Sequence, residues 1–305
     1  MPFFFSKKPA ILLTAQYEKE HAAKSSVLWA LLLVSMKVVV GIMTGSLGIL
    51  AEAAHSGLDL VAAFVTFLAV RESSKPADRE HRYGHGKVEN LSALFETLLL
   101  VITCFWIFYE AVKRLASGQV EVQVTFWSFF VMAVSIVVDI SRSRMLYATA
   151  KKHHSQALEA DALHFSTDIW SSAVVILGLL CVAASDIFHN ADFLHYADAV
   201  AAILVGIIVV QVSMKLGMRT ISALLDATPV GFEDEVIRSV EKIPGIVNCH
   251  HVRVRASGAQ VFVDLHVLID GEVPLRKAHK LTEDVERVIQ ALSPDADVTV
   301  HPEPR

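Results

Sequence analysis

Two segments of this sequence repeat one constellation of ionisable side chains. Glu52-Ala-Ala-His55-Ser-Gly-Leu-Asp59 and Asp161-Ala-Leu-His164-Phe-Ser-Thr-Asp168 both read acid-x-x-His-x-x-x-Asp. A histidine and an aspartate at i and i+4 lie on one face of a helix. Two such helices facing each other offer His55, Asp59, His164 and Asp168 together. Two nitrogens and two oxygens form a tetrahedral donor set suited to Zn²⁺. The plainer reading pairs each His with its neighbouring Asp in a packed bundle. Ionisable groups at membrane depth are costly and functional by default, so four of them at matched spacing favour the metal.

Such a site needs a membrane around it, and the composition supplies one. The chain has 305 residues, 53% hydrophobic and 19% charged, with mean hydropathy +0.48. This is too apolar for an ordinary soluble enzyme. The 83 residues from Ala223 onward hold 23 of the 59 charged side chains, which leaves 36 for the first 222. The first part therefore reads as membrane-embedded and the tail as soluble. A spanning helix takes about 20 apolar residues, and six candidates fit: 27–43, 47–70, 91–112, 122–140, 162–184 and 200–216. An even number puts both termini on one side. Lys7, Lys8, Lys19 and Lys24 precede the first span; Arg71, Lys75, Arg79, Arg82 and Lys87 fill the 2–3 loop; Arg142, Arg144, Lys151 and Lys152 fill the 4–5 loop. By the positive-inside rule these segments, and hence both termini, are cytoplasmic. The 1–2 turn MTGS and the 5–6 loop SDIFHNADFLHYAD contain no Lys or Arg, whereas Lys113 and Arg114 near the 3–4 loop run against the pattern. No basic n-region with a cleavage site opens the chain, so residues 1–24 are expected to be a cytoplasmic lead-in, followed by a transmembrane domain over 25–222.

The remaining segment, 223–305, alternates helical and strand periodicities: a helix near 232–242, strands in CHHVRVRAS and QVFVDLHVLI, a helix near 274–292, then DVTVH. This is an αββαβ unit with a hairpin at Ala256-Ser257-Gly258 and a helix over one face of its sheet. A unit this small gains from dimerisation. The net charge of −5 and the lack of a basic run interleaved with aromatics exclude nucleic acid as a partner. Cys104, Cys181 and Cys249 lie far apart without a CxxC, so they suggest neither a disulfide framework nor a thiolate zinc finger.

With these motifs the chain resembles the cation diffusion facilitator family of proton-coupled zinc exporters, from the first span to the terminal His-Pro. The resemblance implies a homodimer embedded in lipid. Each protomer would be an α-helical membrane protein with six transmembrane helices and a small cytoplasmic, metallochaperone-like α+β domain, in a bacterial inner membrane. The family's transport site lies between helices 2 and 5 and maps onto His55, Asp59, His164 and Asp168. Many bacterial relatives have Asp where His55 stands, and the two-His form is more typical of the zinc-selective eukaryotic branch. Pro76-Ala-Asp78-Arg-Glu-His81-Arg-Tyr-Gly-His85-Gly-Lys87 is similar to the family's loop zinc site, with Asp78, His81 and His85 as ligands. In the tail, His250, His266, His279 and His301 fall in positions similar to the family's cytoplasmic zinc ligands, with Glu303 where relatives have Asp. That set implies a binuclear site, whose bridging carboxylate is here one methylene longer. His251 falls on the opposite strand face by period 2 and reads as a surface residue. The likeness also implies that Lys87 and Asp226 form the charge contact that pins the dimer near the membrane.

Other polar residues in the spans have plainer readings. Lys37 and Glu96 pair or snorkel, and Asp139 reaches the basic cluster at Arg142 and Arg144. Glu52 and Asp161 fit two roles equally: outer partners that hold the ligand His rings, or helix-end charges. The expected function is export of Zn²⁺ against protons by alternating access. Histidine titrates near physiological pH, and protons and metal compete for its lone pairs. A metal-gated channel or sensor would not need four buried ligands. An intramembrane zinc peptidase would need an HExxH pair, and none occurs.

Overall fold

The computed structural model describes residues 10–45, 47–117, 126–185, 194–228 and 231–305. Among the described residues six long helices come first: α1 (Ala10–Thr44), α2 (Leu47–Ser73), α3 (Lys87–Ser117), α4 (Phe126–His153), α5 (Gln156–Ser185) and α6 (Leu194–Leu224). Among the described residues four windows are long and apolar enough to cross a membrane: Thr14–Thr44, Glu52–Ser73, Lys87–Trp106 and Gly206–Leu224. The spans expected at 122–140 and 162–184 fall on α4 and α5, the first of them beginning outside the described residues. The lysine-free 5–6 loop also lies largely outside them. Because α1 starts at Ala10, most of the expected lead-in is already helix. Its residues Gln16, Glu18, Lys19 and Glu20 are polar but good helix formers, so the helix continues past the apolar run.

Within the bundle α1 packs along α2, α3 along α6 and α4 along α5, while α5 also meets α2 and α3. Apolar side chains gain little by meeting one another in lipid, so close backbone approach has to supply the contact. Ala22, Ala23, Ala63, Ala157 and Ala162 are buried at these crossings. The outward faces expose Leu28, Ile42, Leu98, Trp106 and Ile208, as a lipid-facing surface should. Two polar networks tie the helices internally. Glu89 of α3 accepts hydrogen bonds from Lys19 of α1 (2.7 Å), from Ser73 of α2 (2.9 Å) and from Ser155 before α5. Arg142 of α4 donates to Ser26 of α1 (3.0 Å) and to Asp139 (3.4 Å), and its guanidinium lies 3.6 Å from the Phe165 ring centre. The contact expected for Asp139 is thus made to Arg142.

The tail runs α7 (Phe232–Val240), β1 (Ile246–Ser257), β2 (Gln260–Ile269), α8 (Leu275–Leu292), β3 (Asp297–Pro304). Strand order is β1-β2-β3, with β1 antiparallel and β3 parallel to β2. The parallel pair follows from the α8 crossover, which can return the chain in the same direction. Val236 and Val240 of α7 and Val285 and Ile289 of α8 close over Val263, Leu265 and Val267 of β2 as a separate core. The tail docks on the 2–3 loop. Lys87 Nζ lies 2.9 Å from Asp226 Oδ1 within one chain, and Arg255 lies over the Tyr83 ring at 3.9 Å. Tyr83 meets Phe262 edge-on at 5.2 Å. Gly86 touches the hairpin so closely that a Cβ there would sit 2.2 Å from the Ser257 carbonyl oxygen. Only glycine fits at that contact.

Candidate metal centre

Each of α2 and α5 presents an inward face with Asp and His one turn apart, and the bundle turns the two faces toward each other. Asp59, His164 and Asp168 each supply a ligand atom within 4.8 Å of the other two. His164 Nε2 is 3.1 Å from Asp59 Oδ1 and 3.7 Å from Asp168 Oδ2. Tetrahedral Zn²⁺ at about 2.0–2.1 Å from its donors sets them about 3.3 Å apart, so the observed separations bracket that spacing. Asp59 and His164 are buried, at 9% and 4% exposure. His55, one turn before Asp59 and half-buried, lies outside this group, so three of the four expected donors come together.

Glu52 and Asp161, for which the sequence leaves two roles open, turn to other helices. Glu52 joins Lys37 of α1 at 3.3 Å, and Asp161 accepts from Ser26 at 3.2 Å. Neither makes a hydrogen bond to a site histidine. The carboxylate facing the far side of the His164 ring is Glu96 of α3, with its Oε2 3.9 Å from Nδ1. A glutamate one turn after Ser92 in an apolar span was the available signal, but which helix lies against α5 is a tertiary fact.

In the 2–3 loop, Asp78, His81 and His85 likewise place ligand atoms within 4.8 Å of one another. His81 Nδ1 is 3.6 Å and His85 Nε2 3.4 Å from the Asp78 carboxylate. The backbone N–H of His81 and that of Glu80 bond Asp78 Oδ1 and hold this carboxyl below its ordinary range. Gly84, at φ 75°, allows the reversal that returns His85 to Asp78.

In the tail Glu303 is the hub. Its carboxylate lies 3.2 Å from His250 Nε2, 2.8 Å from His266 Nδ1 and 4.0 Å from His301 Nε2. The hydrogen bond from His266, followed by the positive field of His266 and His250, keeps the Glu303 carboxyl low. His279 stands apart on α8, exposed and 3.6 Å from Glu283. His251 corrects the period-2 expectation. The β1–β2 register shifts between His250 and Arg253, and His251 takes φ 49°. A bulge of this kind re-aims a side chain. The His251 ring lies 5.0 Å from that of His250 and 5.2 Å from that of His266. Two ligand groups result, His250/His251/His266 and His266/His301/Glu303, with His266 common to both.

Comparison with known proteins agrees with this architecture. Residues 23–225 match the cation efflux transmembrane domain, and residues 230–305 match the cytoplasmic domain of cation efflux proteins. The cation-efflux pump FieF of Yersinia enterocolitica is 30% identical over 293 residues, covering 95% of this chain and 94% of that protein. FieF of Cronobacter sakazakii is 31% identical over 285 residues, 93% of this chain and 92% of that protein. A solved structure, MamM-CTD 215-293, is 23% identical and covers 24% of this chain and 95% of that one, at a TM-score of 0.23. Two matched domains that together span nearly the whole sequence leave no room for a peptidase: the chain belongs to the cation efflux family, the cation diffusion facilitators, and is a membrane transporter and not an enzyme.

Proposed function

We propose that this chain exports Zn²⁺ from the cytoplasm in exchange for protons, as a homodimer whose protomers each alternate a mid-bundle site between the two membrane faces. The observation that supports this most is the meeting of Asp59, His164 and Asp168 between α2 and α5, at spacings suited to a small divalent cation. Mixed imidazole and carboxylate donors suit zinc, and His55 stands one turn away to complete four ligands as the helices move. Both termini lie in the cytoplasm in this reading, and the membrane is a bacterial inner membrane. The division is 1–24 lead-in, 25–222 transport, 223–305 metal-binding and dimerisation.

The tail acts as a zinc sensor outside the path, through His250, His251, His266, His301 and Glu303, with His279 an additional ligand once two tails meet. The loop group at Asp78, His81 and His85 is a further zinc site at the joint. Lys87 and Asp226 pair where the loop meets the tail, a position suited to pinning a dimer near the membrane surface. Zinc flux into proteoliposomes tests the transport site. Asp59→Ala and His164→Ala should each abolish flux while the protein elutes as the wild-type dimer; wild-type flux in either variant contradicts the assignment.

A further inference from the structure

His164 has two ring nitrogens and different neighbours at each. Nε2 faces Asp59 and Asp168, while Nδ1 is buried and lacks a hydrogen-bond partner among the described residues. Glu96 presents the matching vacancy. It is fully buried, its Oε1 accepts from Thr66 Oγ1 at 2.9 Å, and its Oε2 has no hydrogen-bond partner among the described residues. These two unpartnered atoms lie 3.9 Å apart, on α5 and α3. Burying an unsatisfied carboxylate oxygen is costly, so a donor that reaches it in some state of the protein is the economical arrangement.

A metal-bound imidazole coordinates through one nitrogen and carries its proton on the other, and the acceptor of that N–H fixes the tautomer and the ring orientation. We propose that Glu96 is the positioning residue of the transport site, accepting Nδ1–H of His164 so that the Nε2 lone pair is aimed at the cation between Asp59 and Asp168. This rests on the reading of His164 as a transport ligand. The gap is about 1 Å longer than a charge-assisted N–H···O contact of about 2.8 Å, a distance that rotation of the two side chains closes when a cation draws the ring into place. Thr66, itself 3.3 Å from Ser92, holds the other oxygen and keeps the carboxylate turned toward α5. Glu96 is not among the ligand group, so its role is to orient and not to coordinate. Neither Glu52 nor Asp161 substitutes for it, because their contacts go to Lys37 and Ser26.

The test compares zinc KM and kcat for the full-length protein in proteoliposomes, with thermal melts of each variant. Glu96→Met removes the acceptor at similar volume and should raise KM on the order of 10- to 100-fold, the usual cost of losing such a partner. Glu96→Gln keeps an oxygen that accepts the same N–H and should stay close to wild type. A purely structural role would instead shift the melting point and leave KM alone. An unchanged KM in Glu96→Met, or equal rises in the Gln and Met variants, overturns the inference. Should Glu96→Met fail to fold, Thr66→Val frees the carboxylate to turn away and should raise KM part of the way, so no rise there also overturns it. His164→Ala in the same series separates the two levels. Wild-type flux in that variant defeats the site reading itself. Lost flux there beside an unchanged Glu96→Met defeats only the role of Glu96.

Discussion

Replacing His266 by alanine should disarm both halves of the metal cluster proposed for the tail at once. The two ligand groups share that residue, and each is left with two donors. A metal that binds only the folded form stabilises it by RT ln(1 + [L]/Kd), about 2.7 kcal/mol for one ion when free zinc is 100 times Kd, and up to about 5.4 kcal/mol when both of the linked groups are filled. For a domain of this size about 1 kcal/mol moves the melting point by roughly 4–8 °C, so zinc should raise the wild-type midpoint by roughly 20–40 °C. The tail has its own core and can be melted alone, as residues 227–305, by circular dichroism with and without zinc. In His266→Ala the zinc-dependent rise should nearly vanish. His251→Ala and His301→Ala each break one group and should each remove about half of it. The shared-ligand geometry is refuted if His266→Ala keeps half of the rise or more, or if His251→Ala melts like wild type at every zinc concentration.

Two further outcomes concern His55 and Glu303. His55→Asp should let Cd²⁺ or Mn²⁺ compete better with Zn²⁺ while zinc flux survives, because it exchanges a nitrogen for a harder oxygen; a metal competition assay with an unchanged ranking removes His55 from the discriminating set. Glu303 has a lowered folded pKa, so the stability it contributes is present above its unfolded value, about pH 4.3, and is lost as pH falls through the lower folded value. Metal-free tail and Glu303→Gln tail should therefore differ in melting point at neutral pH and converge in acid, and a difference that persists at low pH contradicts the assignment.

What was legible in the sequence followed its periodicities. The i, i+4 repeat in α2 and α5 singles out Asp59, His164 and Asp168, which the structure brings together, because helix geometry alone puts such residues on one face. Strong amphipathic alternation found the αββαβ order, and QVFVDLHVLI is β2 residue for residue. The misses lie where a local rule yields to something outside it. Period 2 sent His251 to the wrong face because a bulge adds a residue to one strand, and the sequence carries no mark of it beyond the paired histidines. The expected lead-in over 1–24 is helical from Ala10, because a helix continues beyond the apolar layer that hydropathy detects. For Glu52 and Asp161 the sequence leaves two roles open, partners of the site histidines or helix-end charges; the carboxylate facing His164 comes from α3, and no spacing within α5 encodes that neighbour.

Recording zinc and pH together in proteoliposomes holding the purified protein decides whether zinc and protons exchange, as proposed, at one histidine- and carboxylate-lined site. Zinc entry should be accompanied by proton exit in the opposite direction, an imposed pH gradient should drive zinc against its own gradient, and acidifying the zinc-loading side through the histidine range, about pH 8 to about pH 6, should raise the zinc KM. Zinc flux that proceeds only downhill, with no proton movement and a KM constant across that range, would contradict exchange and identify a passive zinc pathway instead.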